Sequence, residues 1–212
     1  MQSSKTSVAA DTPPPVMAAG DWSTNGDLIA DVARIGYIRG TDRVLDMTYG
    51  LGGWWTEYQP PLLVACDIDP AKSRMGSVDF TELPLAWESQ FDVVAFDPPY
   101  KLNGTPDPAI DARYGVHMPT TIPGRHGLMC TGLQEAARVV VNRGVVLAKC
   151  QDQVASGKVW WQSDMLTAVG AEVGLTKIDE LLMPSYRAQP PGRRQIHARR
   201  NYSTLLVFRK EA

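Results

Sequence analysis

Apolar residues in this chain alternate between short solid runs and stretches where they recur at helical spacing. In residues 25–38, Leu28, Ile29, Val32, Ile35 and Ile38 fall close to one helical face, with Asn25 or Asp27 as candidate cap and Gly40 as candidate stop. Solid runs at 42–47 (DRVLDM), 61–69 (PLLVACDID), 91–97 (FDVVAFD) and 143–150 (RGVVLAKC) predict buried strands, and 76–84 (GSVDFTELP) predicts a brief third strand between them. Residues 48–55 (TYGLGGWW) predict a glycine-rich turn into a helix, and 131–140 and 158–174 predict two further helices. The segments 176–184 and 202–210 predict a closing strand pair.

Solidly apolar strands alternating with helical patterns indicate an α/β domain built on a parallel sheet. In such sheets a ligand lies beyond the carboxyl ends of the strands. Asp46, Asp67 and Asp97 end three of the runs and should therefore share one rim. After Asp46 come Gly50, Gly52 and Gly53, which allow a sharp turn and a close backbone approach to a ligand. The turn lacks the Lys-Ser/Thr pair of a phosphate-binding loop and the G-x-G-x-x-G spacing of a dinucleotide site. Asp67 could accept hydrogen bonds from two ribose hydroxyls, and Asp79-Phe80 could hold an adenine ring. Asp69-Pro70 fits a helix cap followed by proline at the first helical position. Pro98-Pro99 must end the fourth run, because proline has no N–H to give a sheet ladder.

The chain has 212 residues, 44% of them hydrophobic, enough for one domain with a real core. Residues 1–20 read as a flexible tail without a signal peptide, and 21–212 as a single domain. No stretch reaches transmembrane length, so a soluble cytoplasmic protein is expected. Three cysteines without C-x-x-C spacing suit reduced thiols. The net charge of −2 hides a local basic loop at 185–202, which carries Arg187, Arg193, Arg194, Arg199 and Arg200 and no acid. Such a cluster fits a phosphate backbone. The Gly/Pro-rich loop 101–127 is expected to close over a substrate, with Lys101, Arg113, Tyr114 and His117 as contacts. His117 and His126 lack partners at ligand spacing, so no metal is expected. Lys149, Cys150, Gln151 and Asp152 end the fifth strand on the same rim, while Trp54, Trp55, Trp160 and Trp161 are expected to fill helix–sheet contacts.

Taken in order, VLDMTYGLGG, VACDIDP, SVDFTELP and FDVVAFDPPY resemble the S-adenosylmethionine-dependent amino-methyltransferases of nucleobases, whose hallmark is a D/N/S-P-P-Y/F tetrapeptide. The resemblance spans roughly residues 25 to 209. It implies a Rossmann-like class I methyltransferase sheet, mostly parallel with an antiparallel final strand and helices on both faces. It further implies S-adenosylmethionine as cofactor. Gly50, Gly52 and Gly53, flanked by Tyr49, would lie against its methionine part, with Asp46 bracing the turn or the amino group. Asp67, followed by Ile68, would bind the ribose, and Asp79 with Phe80 the adenine. The interval from Asp69 to Asp79 departs from the family in having hardly room for the usual crossover helix.

By the same resemblance Asp97, Pro98, Pro99 and Tyr100 would form the catalytic pocket. An exocyclic base amine is a poor nucleophile because its lone pair is delocalised into the ring. Asp97 and the Pro98 carbonyl would accept its two N–H groups, and Tyr100 would stack on the base. The aspartate resembles the adenine-N6 branch, with DNA as the expected partner; cytosine N4, or an RNA amine such as guanine N2, is the alternative, and a non-catalytic binding module is a third. A base in a duplex would have to be flipped out. The short chain leaves specificity to a short target, a partner or a homodimer.

Overall fold

Each central strand divides its side chains between two cores by the period-two alternation of a pleated sheet. Val44, Val93, Ala95, Val145, Leu147, Leu205 and Val207 face one core; Leu45, Val94, Phe96, Val146, Ala148, Leu206 and Phe208 face the other. The computed structural model describes residues 14–102, 121–185 and 194–212. In these, β1 (Arg43–Asp46), β2 (Leu62–Ala65), β3 (Phe91–Phe96), β4 (Val140–Cys150), β7 (Leu175–Pro184) and β8 (Tyr202–Lys210) form one sheet in the order β2-β1-β3-β4-β8-β7. β2, β1, β3 and β4 run parallel, and β8 runs antiparallel to both its neighbours. The mostly parallel sheet with an antiparallel last strand is therefore present. Strands covered on both faces need solid apolar runs, which is why these were legible.

One face is covered by α1 (Asn25–Arg34) through Leu28, Ile29 and Val32, together with Trp22, Trp54 and Trp55. The opposite face is covered by α2 (Ile122–Val139) and α3 (Gln162–Glu172), which bury Met129, Leu133, Ala136 and Leu166. Thr24, rather than Asn25 or Asp27, caps α1; Asp27 sits at the third helical position and returns a bond to the Thr24 N–H at 2.8 Å, completing a capping box. The helix ends at Arg34, before Gly36 at φ +92°, and not at Gly40.

Several other expectations are corrected. Residues 49–57 form turns, not a helix, so β1 and β2 are joined without a helical crossover. The brief strand at 76–84 is reduced to one parallel bridge, Asp67 to Ser77; a glycine, two acids and a proline give it little to pair or bury. The loop 101–127 is helical from Ile122 onward. Residues 158–160, expected to open a helix, instead form β6 (Lys158–Trp160), which pairs with β5 (Gln153–Ala155) across the Ser156-Gly157 turn; both turn residues have positive φ. Residues 14–20 of the expected tail dock on the edge strand β7: Ala18 O accepts the Leu182 N–H at 2.6 Å, and Ala19 bridges Leu182.

Candidate active site

Register alone brings the three aspartates to one rim. Asp46 pairs with Ala65 on β2 and Ala95 on β3, so Asp67 and Asp97, each two residues further on, flank it. The rim continues on β4, where Ala148 pairs with Phe96 and sets Lys149 beside Asp97.

Asp46 is buried and braces the turn that follows it. One carboxylate oxygen accepts the Thr48 N–H at 2.9 Å, and the other the indole N–H of Trp55 at 2.7 Å. Burial pushes its pKa up to about 7, against the pull of these two bonds, and the nearby Asp97 and Asp67 add to the rise. Asp67 ties the second strand to the same turn, accepting the Gly50 N–H and the Asp69 N–H, each at 2.8 Å. Gly50 at φ +56° and Gly52 at φ +72° make the turn possible. A Cβ on Gly52 would stand 2.7 Å from the Tyr49 hydroxyl, so the Tyr49 ring lies over the turn, while Gly53 faces open space. Ile68 is 43% exposed, and its carbonyl accepts the Ser77 hydroxyl. The exposed Asp79 carboxylate accepts the Thr81 N–H and hydroxyl, and the half-buried Phe80 packs on Phe96 with ring centres 5.4 Å apart.

Asp97 is held from three sides. Its N–H donates to the Thr48 hydroxyl at 2.7 Å, and its carboxylate accepts the Trp54 indole N–H at 3.0 Å. Lys149, 3% exposed, donates to the Asn25 side chain at the start of α1 and lies close enough to lower the Asp97 pKa, which burial raises. Pro98 O accepts the Tyr100 N–H at 2.7 Å, a γ-turn that leaves that carbonyl its second lone pair. The Tyr100 carbonyl accepts from two buried glutamines, Gln153 at 2.7 Å and Gln162 at 2.8 Å. Gln153 also accepts the Leu102 N–H at 3.1 Å, so one amide grips the backbone on both sides of Lys101.

The basic candidates divide. Lys101 and Arg194 are exposed, and Arg199 and Arg200 half-buried, with the Arg200 guanidinium 4.3 Å above the Trp161 ring. Arg113, Arg187 and Arg193, like Tyr114 and His117, lie outside the described residues. Sequence reasoning missed the roles of Thr48, Trp54, Trp55, Gln153 and Gln162. The one available signal was the polar run Gln151-Asp152-Gln153 at the end of a solidly apolar strand. Trp54 and Trp55 do fill a core, but their indole N–H groups also hold Asp97 and Asp46. Among the described residues no three His, Cys, Asp or Glu side chains gather as metal ligands, and no helix is long and apolar enough to cross a membrane. A shallow groove beside Ile38, Arg39 and Tyr58 lies by the entry to β1, at the other end of that strand from Asp46.

No protein-family model matches the chain, and no curated protein matches it in sequence. Solved structures share its architecture. A proposed methyltransferase from Bacillus halodurans C-125 superposes at TM-score 0.55 over 87% of this chain and 99% of that one, at 14% identity. A proposed sarcosine dimethylglycine methyltransferase from Galdieria sulphuraria gives 0.53 over 88% and 85%, at 13% identity. The N-methyltransferase NodS from Bradyrhizobium japonicum WM9 gives 0.52 over 88% and 96%, again at 13% identity. Likeness at such identity is likeness of fold. The chain has the Rossmann-like fold of the class I methyltransferases.

Proposed function

We propose that the protein transfers a methyl group from S-adenosylmethionine to an exocyclic amine of a nucleobase, with adenine N6 in DNA as the substrate best suited to Asp97. The observation that carries this reading is the tetrapeptide Asp97-Pro98-Pro99-Tyr100 at the carboxyl end of β3, beside the braced glycine turn after β1. The residues present suit the cofactor. Gly50 and Gly52 turn the backbone sharply, and Gly53 opens one side of the turn. Asp67 spends one lone pair of each oxygen on backbone N–H groups and keeps others for ribose hydroxyls. The cofactor supplies the electrophilic methyl group.

What the chain contributes is the handling of the amine. The Asp97 carboxylate accepts one amine N–H and the Pro98 carbonyl the other, which draws the nitrogen towards the tetrahedral geometry in which its lone pair can attack. Both acceptors are fixed in advance, Asp97 by Trp54 and Thr48, and Pro98 by its ring and its bond from Tyr100. Burial raises the Asp97 pKa, which suits that carboxylate to receive the proton the nitrogen gives up. Tyr100 offers its ring to the base while its carbonyl is pinned by two glutamines.

The test uses cofactor labelled in its methyl group with unmethylated DNA and, separately, RNA, followed by nucleoside chromatography. Label is expected in N6-methyladenine from DNA, and Asp97→Ala is expected to lower the rate about a hundredfold or more while cofactor binding persists. Label only in RNA would move the substrate to that polymer. An Asp97→Ala variant with near-normal rate would remove the mechanism.

A further inference from the structure

Beside the catalytic tetrapeptide the structure assembles a surface that the mechanism does not use. Residues 153–161 (QVASGKVWW), which form the β5–β6 hairpin and the first residue after it, contain no acid. The hairpin is fastened to Tyr100 through its first residue, Gln153. On it, the Lys158 ammonium lies 4.5 Å above the Trp160 ring, and Trp160 packs edge-to-face with His126 at 5.4 Å between centres. Arg125, the neighbour of His126, donates to the Lys101 carbonyl at 2.7 Å, which closes the surface back onto the catalytic loop. On the other side, His197 bonds the Gly157 carbonyl at 3.0 Å, and the Arg200 carbonyl accepts from Gln151 at 3.2 Å. These bonds lay the acid-free segment 194–202 along the hairpin and set the Arg200 guanidinium over Trp161. Trp161 is 48% exposed and Ile196 65% exposed, so both present apolar surface beside these cations. The first acid after this stretch in the chain is Asp164, in the first turn of α3.

We infer that this cationic and aromatic surface is where a single-stranded segment flanking the target base docks, with Trp161 as a stacking platform and Lys158 and Arg200 as phosphate contacts. The inference rests on the nucleic-acid reading above and adds a strand state to it. Cations alone grip a duplex backbone as well as a single strand. Half-exposed indoles do not serve a duplex, whose base faces are already stacked. They serve unpaired bases, each of which presents a free face. Arg200 lies over the Trp161 ring, yet 48% of Trp161 stays exposed, which leaves ring surface for a base beside a cation suited to its phosphate.

The experiment measures fluorescence anisotropy with a short labelled oligothymidylate and with a duplex of equal length, using the full chain without cofactor. Thymine has no exocyclic amine, so this probe cannot be a substrate of the proposed reaction. The single strand is expected to bind more tightly than the duplex, and Trp161→Ala to weaken it about tenfold. Trp161→Phe is expected to restore most of the binding, which separates stacking from damage to the fold. Lys158→Ala is expected to lower the slope of log affinity against log salt by about 0.7, one phosphate on a single strand. Equal or tighter duplex binding, with Trp161→Ala changing nothing, would overturn the inference. Trp161-dependent binding of oligothymidylate together with failure of methyl transfer to any polymer would uphold it and sink the catalytic reading instead.

Discussion

Asp97 can take up the proton that the amine gives up only when ionised, and its neighbours pull its charge in opposite directions. Burial is the largest effect and raises its pKa; Lys149 from β4 and the Trp54 indole bond lower it. Lys149 is itself buried, which lowers its own pKa, while Asp97 and Cys150 raise it. Of the other groups facing this spot, Asp46 on β1 titrates nearby and Asn25 on α1 is neutral. The proposed activity therefore falls as pH falls through the Asp97 pKa. Lys149→Met removes a lowering charge, so that acid limb should move to higher pH, with the loss of rate growing towards the acid side. Lys149→Arg should keep the limb near its original place. Rates measured across pH 5.5 to 9 decide it, and an unmoved limb in Lys149→Met would show that Lys149 does not act on Asp97. None of this was legible in the sequence beyond Lys149 ending a strand, because a single residue's charge state depends on which side chains surround it.

At the scale of elements, close contact between α2 and β3 fixes the strand that delivers Asp97. A Cβ added to Gly132 would come within 2.4 Å of the Phe96 ring and 2.8 Å of the Phe80 ring. Phe96 is fully buried and cannot withdraw. Alanine improves helix propensity by about 1 kcal/mol over glycine, but overpacking a core costs about 1–3 kcal/mol. Gly132→Ala is thus expected to lower stability, read as a lower urea midpoint; a gain in midpoint would show that the rings yield. The sequence announced β3 by its solid run and the second half of α2 by its periodicity, but neither the first half of α2, which it read as loop, nor their contact. It also overstated structure at 48–55 and 76–84, where apolar residues suggested a helix and a strand. Those segments instead spend their backbone groups on Asp67 and on the glycine turn, a choice made by neighbours distant in sequence. The β5–β6 hairpin was misread for a related reason: two tryptophans at the mouth of a helical stretch fit either state, and only pairing with residues 153–155 selects the strand.

Across the whole molecule, stability and the rim are coupled. Asp46 has its folded pKa raised from 3.8 to about 7, chiefly by burial. For an acid shifted in this direction the unfolded chain ionises first, so the contribution to stability is full below about pH 4 and is lost as pH rises towards 7. Asp46→Asn removes this slope. It also sets an amide against the Trp55 indole N–H or the Thr48 N–H, so it should lower stability most below about pH 4, by an amount that shrinks towards pH 7 as the profile flattens. Urea unfolding at several pH values checks both; a slope that survives the substitution would place the titration elsewhere. The sequence by itself determined the sheet's buried strands and the glycine turn, because solid apolar runs and positive-φ glycines are local requirements. It also determined that three aspartates lie at or just beyond strand ends, since a carboxylate closing an apolar run is visible in one dimension. Only the tertiary structure decided that those aspartates flank one another, that Trp54 and Trp55 hold two of them, that Gln153 and Gln162 pin Tyr100, and that a buried lysine faces Asp97. Register, burial and hydrogen bonding join residues tens of positions apart, and no short-range pattern carries them.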